Sequence, residues 1–133
     1  MSNIALETRT TRIWLDADGI LRIVAKPVSS QNVSDAEENL DAIDLILQGR
    51  KLPALIDLRQ AISTEHQGRR LYFQKKVGES VSAAALIVKS PISRVIGGLF
   101  LGLNKPPFPV RLFESEEKTL KFLKGFLVDE TES

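Results

Sequence analysis

Short apolar runs alternate along this chain with segments of helical periodicity, and this alternation restricts the fold more than any other feature. The runs typical of strands cover residues 11–15, 20–24, 52–58, 81–88 and 108–113. Helical segments follow the second run and each later one. Strands separated by helices pair in parallel through right-handed crossovers. The order β-β-α-β-α-β-α-β-α therefore predicts an α/β domain with a mixed, mainly parallel sheet of about five strands.

Local signals predict where several of these elements begin and end. Asp18-Gly19 lies between the first two runs, which indicates an N-terminal β-hairpin. Ser34 with Glu37 forms the pattern of a capping box for the first of four helices, and Gly49 ends that helix. The other helices are predicted over residues 64–77, 91–103 and, after a cap at Ser115, about 116–127.

Composition supports one globular domain and excludes several classes of protein. The chain has 133 residues, of which 43% are hydrophobic and 26% charged, so it can bury a hydrophobic core without disulfides or structural metal ions. It has no cysteine, which excludes disulfides, thiolate nucleophiles and Cys-ligated metals. The net charge of +1 gives no support for nucleic-acid binding. We expect an N-terminal arm at residues 1–10, one domain at 11–128 and an acidic tail at 129–133.

The sequence gives no indication of export or of a membrane span. Its first residues lack the basic and apolar regions of a signal peptide. The longest apolar-rich stretch, residues 95–103, is far shorter than the roughly 20 residues that a spanning helix needs. We therefore predict a cytoplasmic protein.

Two stretches of this sequence resemble a known fold family. The first is Leu55-Ile56-Asp57-Leu58-Arg59, a strand that ends in Asp-Leu. The second runs from Ala84 through Ser90-Pro91 and Phe100-Leu101-Gly102-Leu103 to Phe113. Together with the order of elements, they resemble the SpoIIAA-like fold of STAS domains, and in particular small uncharacterised bacterial STAS-like proteins. The resemblance covers residues 11–127 and implies a SpoIIAA-like sheet, but no established activity.

The resemblance also implies a position for a phosphorylation switch. In anti-sigma-factor antagonists of this fold, a serine after the Asp-ending strand is phosphorylated by a partner kinase. Ser63 and Thr64 occupy the corresponding region here, but no Asp precedes them and Gly68 comes late. A phosphate at a helix N-terminus would meet free N–H groups. The alternative is that both hydroxyls cap the helix.

Candidates for catalysis are few. His66 is the only histidine, and Ser63 lies three residues before it, with Asp57 available to orient the ring. No Gly-x-Ser-x-Gly elbow accompanies them. A surface histidine near a helix start explains His66 more simply, so we predict that the protein is not an enzyme.

Metal binding and cofactor binding are not expected either. The acidic pairs nearest to a ligand pattern are Asp16 with Asp18 at a turn and Asp41 with Asp44 on a helix. Neither pair has the spaced oxygen ligands of a calcium loop. Solvated turn and helix positions account for them.

The helix predicted over residues 91–103 is apolar nearly all round, and it is the most informative anomaly of the chain. Gly97, Gly98 and Gly102 would cost this helix about 2–3 kcal/mol relative to alanine. Close packing on the sheet or on a second subunit would offset this cost, and so would a ligand or lipid tail beside the helix. An exposed apolar face marks a partner or membrane surface. We favour a homodimer interface, with membrane or lipid contact and burial within the domain as alternatives. The predicted contact residues are Ile92, Val95, Ile96, Leu99, Phe100 and Leu103.

These observations lead to one functional hypothesis and two alternatives. The first is a non-enzymatic STAS-like regulatory module that acts by protein–protein contact, as a homodimer and with an unidentified regulatory protein. Helix 91–103 and the loop at residues 62–66 would be its contact surfaces. The second is a binder of lipids or small apolar ligands, as in the similar Sec14-type domains, with helix 91–103 lining the pocket. The third is a small hydrolase that uses Ser63 and His66.

Overall fold

The structure is a computed structural model, and it describes residues 5–28, 32–61, 79–89, 91 and 109–127. Within these residues six strands and two helices form. The strands are β1 (Ala5–Glu7), β2 (Thr11–Leu15), β3 (Leu21–Ala25), β4 (Leu52–Asp57), β5 (Val81–Ile87) and β6 (Val110–Phe113), and the helices are α1 (Val33–Leu47) and α2 (Glu116–Lys124).

All six strands belong to one sheet in the order β1-β2-β3-β4-β5-β6. The β1–β2 and β2–β3 pairings are antiparallel, and the β3–β4, β4–β5 and β5–β6 pairings are parallel. The prediction of a mixed, mainly parallel sheet is therefore confirmed. It was wrong in the strand count, because the segment assigned to an N-terminal arm contains β1. Three residues are too few to show an alternating pattern, and β1 is recognised by its pairing of Leu6 with Ile13.

The predicted hairpin joins β2 to β3. Gly19 has a φ of 88°, a left-handed conformation that favours glycine. The Oδ1 atom of Asp16 accepts hydrogen bonds from the backbone N–H groups of Asp18 at 2.9 Å and Ile20 at 3.0 Å. The turn is therefore stabilised by an Asp side chain as well as by the glycine.

The N-terminal cap of α1 differs from the prediction. Asn32, not Ser34, is the capping residue: its side chain accepts from the backbone N–H of Asp35 at 2.8 Å. The Asp35 side chain accepts in return from the backbone N–H of Asn32 at 2.9 Å. The capping box is thus formed two residues before the Ser34–Glu37 pair. The earlier cap is favoured by a residue outside the helix. Arg9 donates to both carboxylate oxygens of Asp35 and holds this side chain in place.

A buried polar cluster fixes the β1–β2 turn to α1. Asn39 is fully buried, and its Oδ1 atom accepts hydrogen bonds from the hydroxyls of Thr8 and, at 3.0 Å, Thr11. Its Nδ2 atom donates to the hydroxyl of Thr10 at 2.8 Å. Buried amides need such partners, and here one asparagine supplies partners to three threonines.

The two faces of the sheet have separate cores. The larger core lies against α1 and includes Ile13, Leu21, Ile23, Ile43, Ile56 and Leu86. The smaller core lies against α2 and includes Ile20, Leu55, Ala83, Ala85, Ile87 and Leu123. Alternate residues of β4 and β5 enter opposite cores, as the twofold periodicity of a strand requires. Residues 52–56 of β4 and 83–87 of β5 are consequently all apolar, which is typical of a sheet covered on both faces.

Two of the four predicted helices fall within the described residues. α1 ends where Gln48 and Gly49 adopt left-handed backbone angles, close to the predicted end at Gly49. α2 has the predicted cap, since the Ser115 hydroxyl accepts from the backbone N–H of Lys118 at 3.1 Å. α2 ends at Lys124, so Leu127 lies beyond it. The helix predicted over residues 64–77 lies outside the described residues, as do residues 92–103 of the helix predicted over 91–103.

Candidate functional site at the carboxyl edge

The parallel strands β4, β5 and β6 end at one edge of the sheet, which is where open α/β sheets place their binding sites. We call this region the carboxyl edge, defined by residues 57–61 after β4, 88–89 after β5 and 114–115 after β6. The loop at residues 62–66, which the sequence indicates as a contact surface, follows the carboxyl edge directly in the chain. The charged residues of this edge are Asp57, Arg59, Lys89 and Glu114, and Asp57 and Arg59 form an ion pair.

An ion pair between Asp57 and Arg59 lies at the end of β4. Arg59 donates from Nε to Asp57 Oδ1 at 3.0 Å and from Nη2 to Oδ2 at 2.7 Å, and its backbone N–H also donates to Oδ1 at 3.0 Å. The Asp57 side chain is 13% exposed. The hydrogen bonds from Arg59 to Asp57 raise the pKa of the guanidinium, and the charge of Glu116 acts in the same direction. Both oxygens of Asp57 are therefore engaged by a cation that stays protonated.

A second ion-pair group joins β3 to α2. Arg22 donates from Nε to Asp16 Oδ2 at 2.9 Å and from Nη1 to Glu116 Oε1 at 3.2 Å. The side chains of Arg22 and Asp16 are 17% and 15% exposed. Glu116 thus accepts a hydrogen bond from Arg22, and its charge also raises the pKa of Arg59. The start of α2 is held against the sheet by charge as well as by apolar packing.

A cavity of about 520 Å³ opens beside β5, β6 and the first turn of α2. Its lining residues within the described part of the chain are Val88, Leu112, Phe113, Glu114, Ser115 and Lys118. Val88 is buried, and Leu112 and Phe113 are half-buried and face opposite sides of the sheet. Glu114 and Lys118 place opposite charges at the rim. The volume lies within the range of small-molecule sites.

Most of the site residues that the sequence predicts lie outside the part of the chain that the structure describes. Ser63, Thr64 and His66 lie outside the described residues, as do Ile92, Val95, Ile96, Leu99, Phe100 and Leu103. Asp57 is described, and its carboxylate accepts from Arg59. Its role as the orienting acid of a Ser63–His66 pair remains a prediction, as do the phosphorylation and interface hypotheses.

Sequence reasoning missed the ion pairs of this region. Asp57 and Arg59 are two residues apart, and Asp and Arg around one intervening Leu at a strand end are a usable signal for a local pair. Arg22 and Glu116 lie 94 positions apart, so no local pattern connects them. They come together because the apolar residues of α2 pack in the smaller core and so position this helix against the sheet. In the sequence these residues are visible only as an apolar face of a predicted helix.

Of the acidic pairs considered for metal binding, Asp16 and Asp18 lie in the β2–β3 turn, and Asp41 and Asp44 lie on α1. Asp16 accepts from turn N–H groups and from Arg22. In the described part of the chain, no three His, Cys, Asp or Glu side chains are grouped so as to hold a metal ion. The described helices also include none that is long and apolar enough to cross a membrane.

The comparison with solved structures identifies the fold as SpoIIAA-like, as the sequence resemblance implied. An uncharacterised DUF3478-family protein from Shewanella loihica PV-4, which has a SpoIIAA-like fold, aligns with a TM-score of 0.59 and 21% identity. The alignment covers 92% of this chain and 98% of that protein. A protein of unknown function from Arthrobacter sp. FB24 is 28% identical over 84% of this chain and 96% of its own, with a TM-score of 0.35.

The family follows from the sequence. Residues 13–127 match the model of a domain of unknown function, DUF7793, and the chain therefore belongs to that family. The match begins within β2 and covers strands β3 to β6 together with both described helices. Among curated proteins, none matches this sequence.

Proposed function

We propose that this chain is a non-enzymatic, STAS-like regulatory module of the cytoplasm that acts by protein–protein contact through its carboxyl edge. One observation supports this proposal above the others. At that edge Asp57 forms an ion pair with Arg59, and next to it Glu116, the first residue of α2, accepts a hydrogen bond from Arg22. A general base needs a free lone pair within reach of a substrate proton, whereas paired charges held in fixed positions favour the selection of a complementary protein surface.

The proposal includes a homodimer, with the apolar segment 91–103 as its interface. The support is the sequence itself, because Ile92, Val95, Ile96 and Leu99 leave that predicted helix without a polar face. Light scattering and native mass spectrometry test it. We expect a particle of twice 14.8 kDa that Leu99→Glu converts to one of 14.8 kDa. A particle of one chain at millimolar concentration would remove the dimer from the proposal.

The hydrolase alternative has its own test. A fluorophosphonate probe reacts with serines that a neighbouring base activates. We expect the protein to remain unlabelled. Labelling of Ser63 that His66→Ala abolishes would establish an activated serine and contradict the non-enzymatic proposal.

A further inference from the structure

β6 is the last strand of the sheet, and no strand within the described residues pairs with its outer side. The backbone carbonyls of Pro109 and Phe113 accept hydrogen bonds from the β5 segment, each at 2.9 Å. Alternate residues of a strand direct their backbone groups to opposite sides, so Val110 and Leu112 direct an N–H and a C=O away from β5. The outer edge of β6 therefore offers donors and acceptors for a further strand.

The opposite edge of the sheet, β1, is better protected against pairing. It has only three residues, and its exposed Glu7 forms ion pairs with Arg12 and Lys26. Short length and charged side chains are the usual protection of an edge strand. β6 has four residues in regular register with β5, and Arg111 is its only charged side chain. β6 is thus the edge at which another chain can add to this sheet.

Arg111 lies at the outer edge of β6 without a carboxylate partner among the residues that the structure describes. Its Cζ atom lies over the ring of Phe122, 5.6 Å from the centroid, and its side chain is exposed. Every other described arginine donates to a carboxylate or to a backbone carbonyl: Arg9, Arg12, Arg22, Arg50 and Arg59. The guanidinium of Arg111 therefore presents a planar set of N–H donors that fits an incoming carboxylate.

Apolar side chains border the outer edge of β6 on both faces of the sheet. On the α2 face, the half-buried rings of Phe113 and Phe122 lie 5.5 Å apart between centroids. On the α1 face, the half-buried Val110 and Leu112 pack against the larger core. A strand added to this edge would cover apolar surface on both faces and place one side chain beside Arg111.

We propose that the outer edge of β6 binds an extended acidic segment of a partner protein, which adds to the sheet and places a carboxylate on Arg111. A backbone edge selects a polypeptide, because another extended chain supplies N–H and C=O groups at the matching spacing. A second copy of β6 does not match the charge, because residues 110–113 contain no acidic side chain for Arg111. This surface goes beyond the contact proposed at the carboxyl edge and uses other residues.

The probe is the peptide acetyl-Ser-Thr-Val-Glu-Val-Thr-Ser-amide, titrated into the full isotope-labelled chain. We expect saturable shifts of the amide NMR signals of Val110 and Leu112, slower hydrogen exchange at both, and a Kd of about 1 mM or tighter. Glutamine in place of the peptide's glutamate is expected to weaken binding roughly tenfold, and lysine to abolish it.

Two N-methylated peptides test whether the segment adds as a strand. One carries the methyl group on the glutamate nitrogen and the other on the nitrogen of the following valine. Only alternate N–H groups of an added strand face β6, so one of the two peptides should lose binding while the other retains it. Equal binding of the two would show that the peptide does not pair with the backbone of β6, and it would overturn the proposal.

The matched variants are Arg111→Gln and Arg12→Gln. Both arginines are exposed, but β6 lies at the edge of the sheet and β2 lies inside it. Arg111→Gln is expected to weaken binding of the glutamate peptide roughly tenfold, and Arg12→Gln to leave it unchanged. An absence of saturable shifts, equal effects of the two variants, or equal binding of the lysine peptide overturns the proposal.

A second copy at this edge gives a different result. It would slow hydrogen exchange at Val110 and Leu112 without peptide, increasingly so at higher protein concentration, and that outcome also overturns the proposal. None of these outcomes decides the contact proposed at the carboxyl edge, because that contact involves Asp57 and Arg59 and not the outer edge of β6.

Discussion

Arg22 on β3 and Glu116 at the start of α2 lie 94 positions apart, and Arg22 Nη1 donates a 3.2 Å hydrogen bond to Glu116 Oε1. The same guanidinium donates to Asp16 in the hairpin turn. One side chain therefore connects the hairpin, the sheet and the last helix. α2 begins at the carboxyl edge because β6 ends there, and this contact connects its first residue to β3.

Arg22→Ala is expected to destabilise the protein by about 2–3 kcal/mol. The reason is that Asp16 is only 15% exposed and would lose its guanidinium partner, while Glu116, at 52% exposure, would be rehydrated. Urea denaturation measures the change. Arg12→Ala is the control, because Arg12 pairs with Glu7 at the surface and its loss should give no measurable change. Equal effects of the two substitutions would contradict this account of Arg22.

The cap of α1 gives a second test. Asn32→Ala is expected to cost about 1 kcal/mol of stability, because it removes the side-chain acceptor of the capping box. Ser34→Ala, at the position that the sequence alone suggests as the cap, should have a much smaller effect. Thermal denaturation of the two variants decides between them, and a larger loss for Ser34→Ala would show that the helix begins later.

The polar cluster around Asn39 is expected to be essential for the packing of the β1–β2 turn. Asn39→Ala removes three buried hydrogen bonds, those to the hydroxyls of Thr8, Thr10 and Thr11. We expect a loss of about 2–3 kcal/mol, since each buried hydrogen bond contributes about 1 kcal/mol. Glu37→Ala on the exposed side of the same helix should leave stability unchanged. A small effect of Asn39→Ala, measured by urea denaturation, would mean that water replaces the amide.

Stability is expected to fall in acid partly because of Asp35. The hydrogen bonds from Arg9 lower the pKa of Asp35 below its ordinary value of 3.8, and the side chain is 8% exposed. A lowered folded-state pKa means that the unfolded chain binds the proton more readily. The stabilisation is therefore fully present above about pH 4–5 and is lost as the pH falls through the lower, folded-state pKa.

Denaturation curves of Asp35→Asn between neutral and acid pH measure this contribution. The variant should lose stability at neutral pH and show a shallower decline in acid than the parent protein. Glu7→Gln is the comparison: hydrogen bonds from Lys26 and Arg12 also lower the pKa of Glu7, but the side chain is 57% exposed and solvent screens it. Parallel acid declines for Asp35→Asn and the parent would contradict the assignment.

The mixed, mainly parallel pairing of the sheet could be predicted from the sequence because the signals for its strands and for its hairpin are local. The apolar runs that became β4 and β5 are buried on both faces, and the Asp18-Gly19 turn defines the hairpin. Parallel pairing then follows from the helical segments between the runs. β1 escaped prediction because it is three residues long and exists only through its pairing with β2.

The cap of α1 and the carboxyl edge could not be predicted in the same way, because both depend on distant residues. Asn32 and Ser34 are equally good caps in isolation, and the ion pair of Asp35 with Arg9 favours the earlier one. The Arg22–Glu116 contact requires the register of β3 and the placement of α2 together. The Asp57–Arg59 ion pair could have been predicted from the sequence, since the two residues are separated only by Leu58.

The most direct test of the central claim, contact through the carboxyl edge, is site-specific photo-crosslinking at the two ends of β4. Benzoyl-phenylalanine replaces Gln60, which is exposed beside Arg59 at the carboxyl edge, or Lys51, which is exposed before the first residue of the same strand. The account requires a discrete protein crosslink, to a second copy or to another protein, from position 60 and none from position 51. Crosslinks from both positions alike, or from neither, would contradict it.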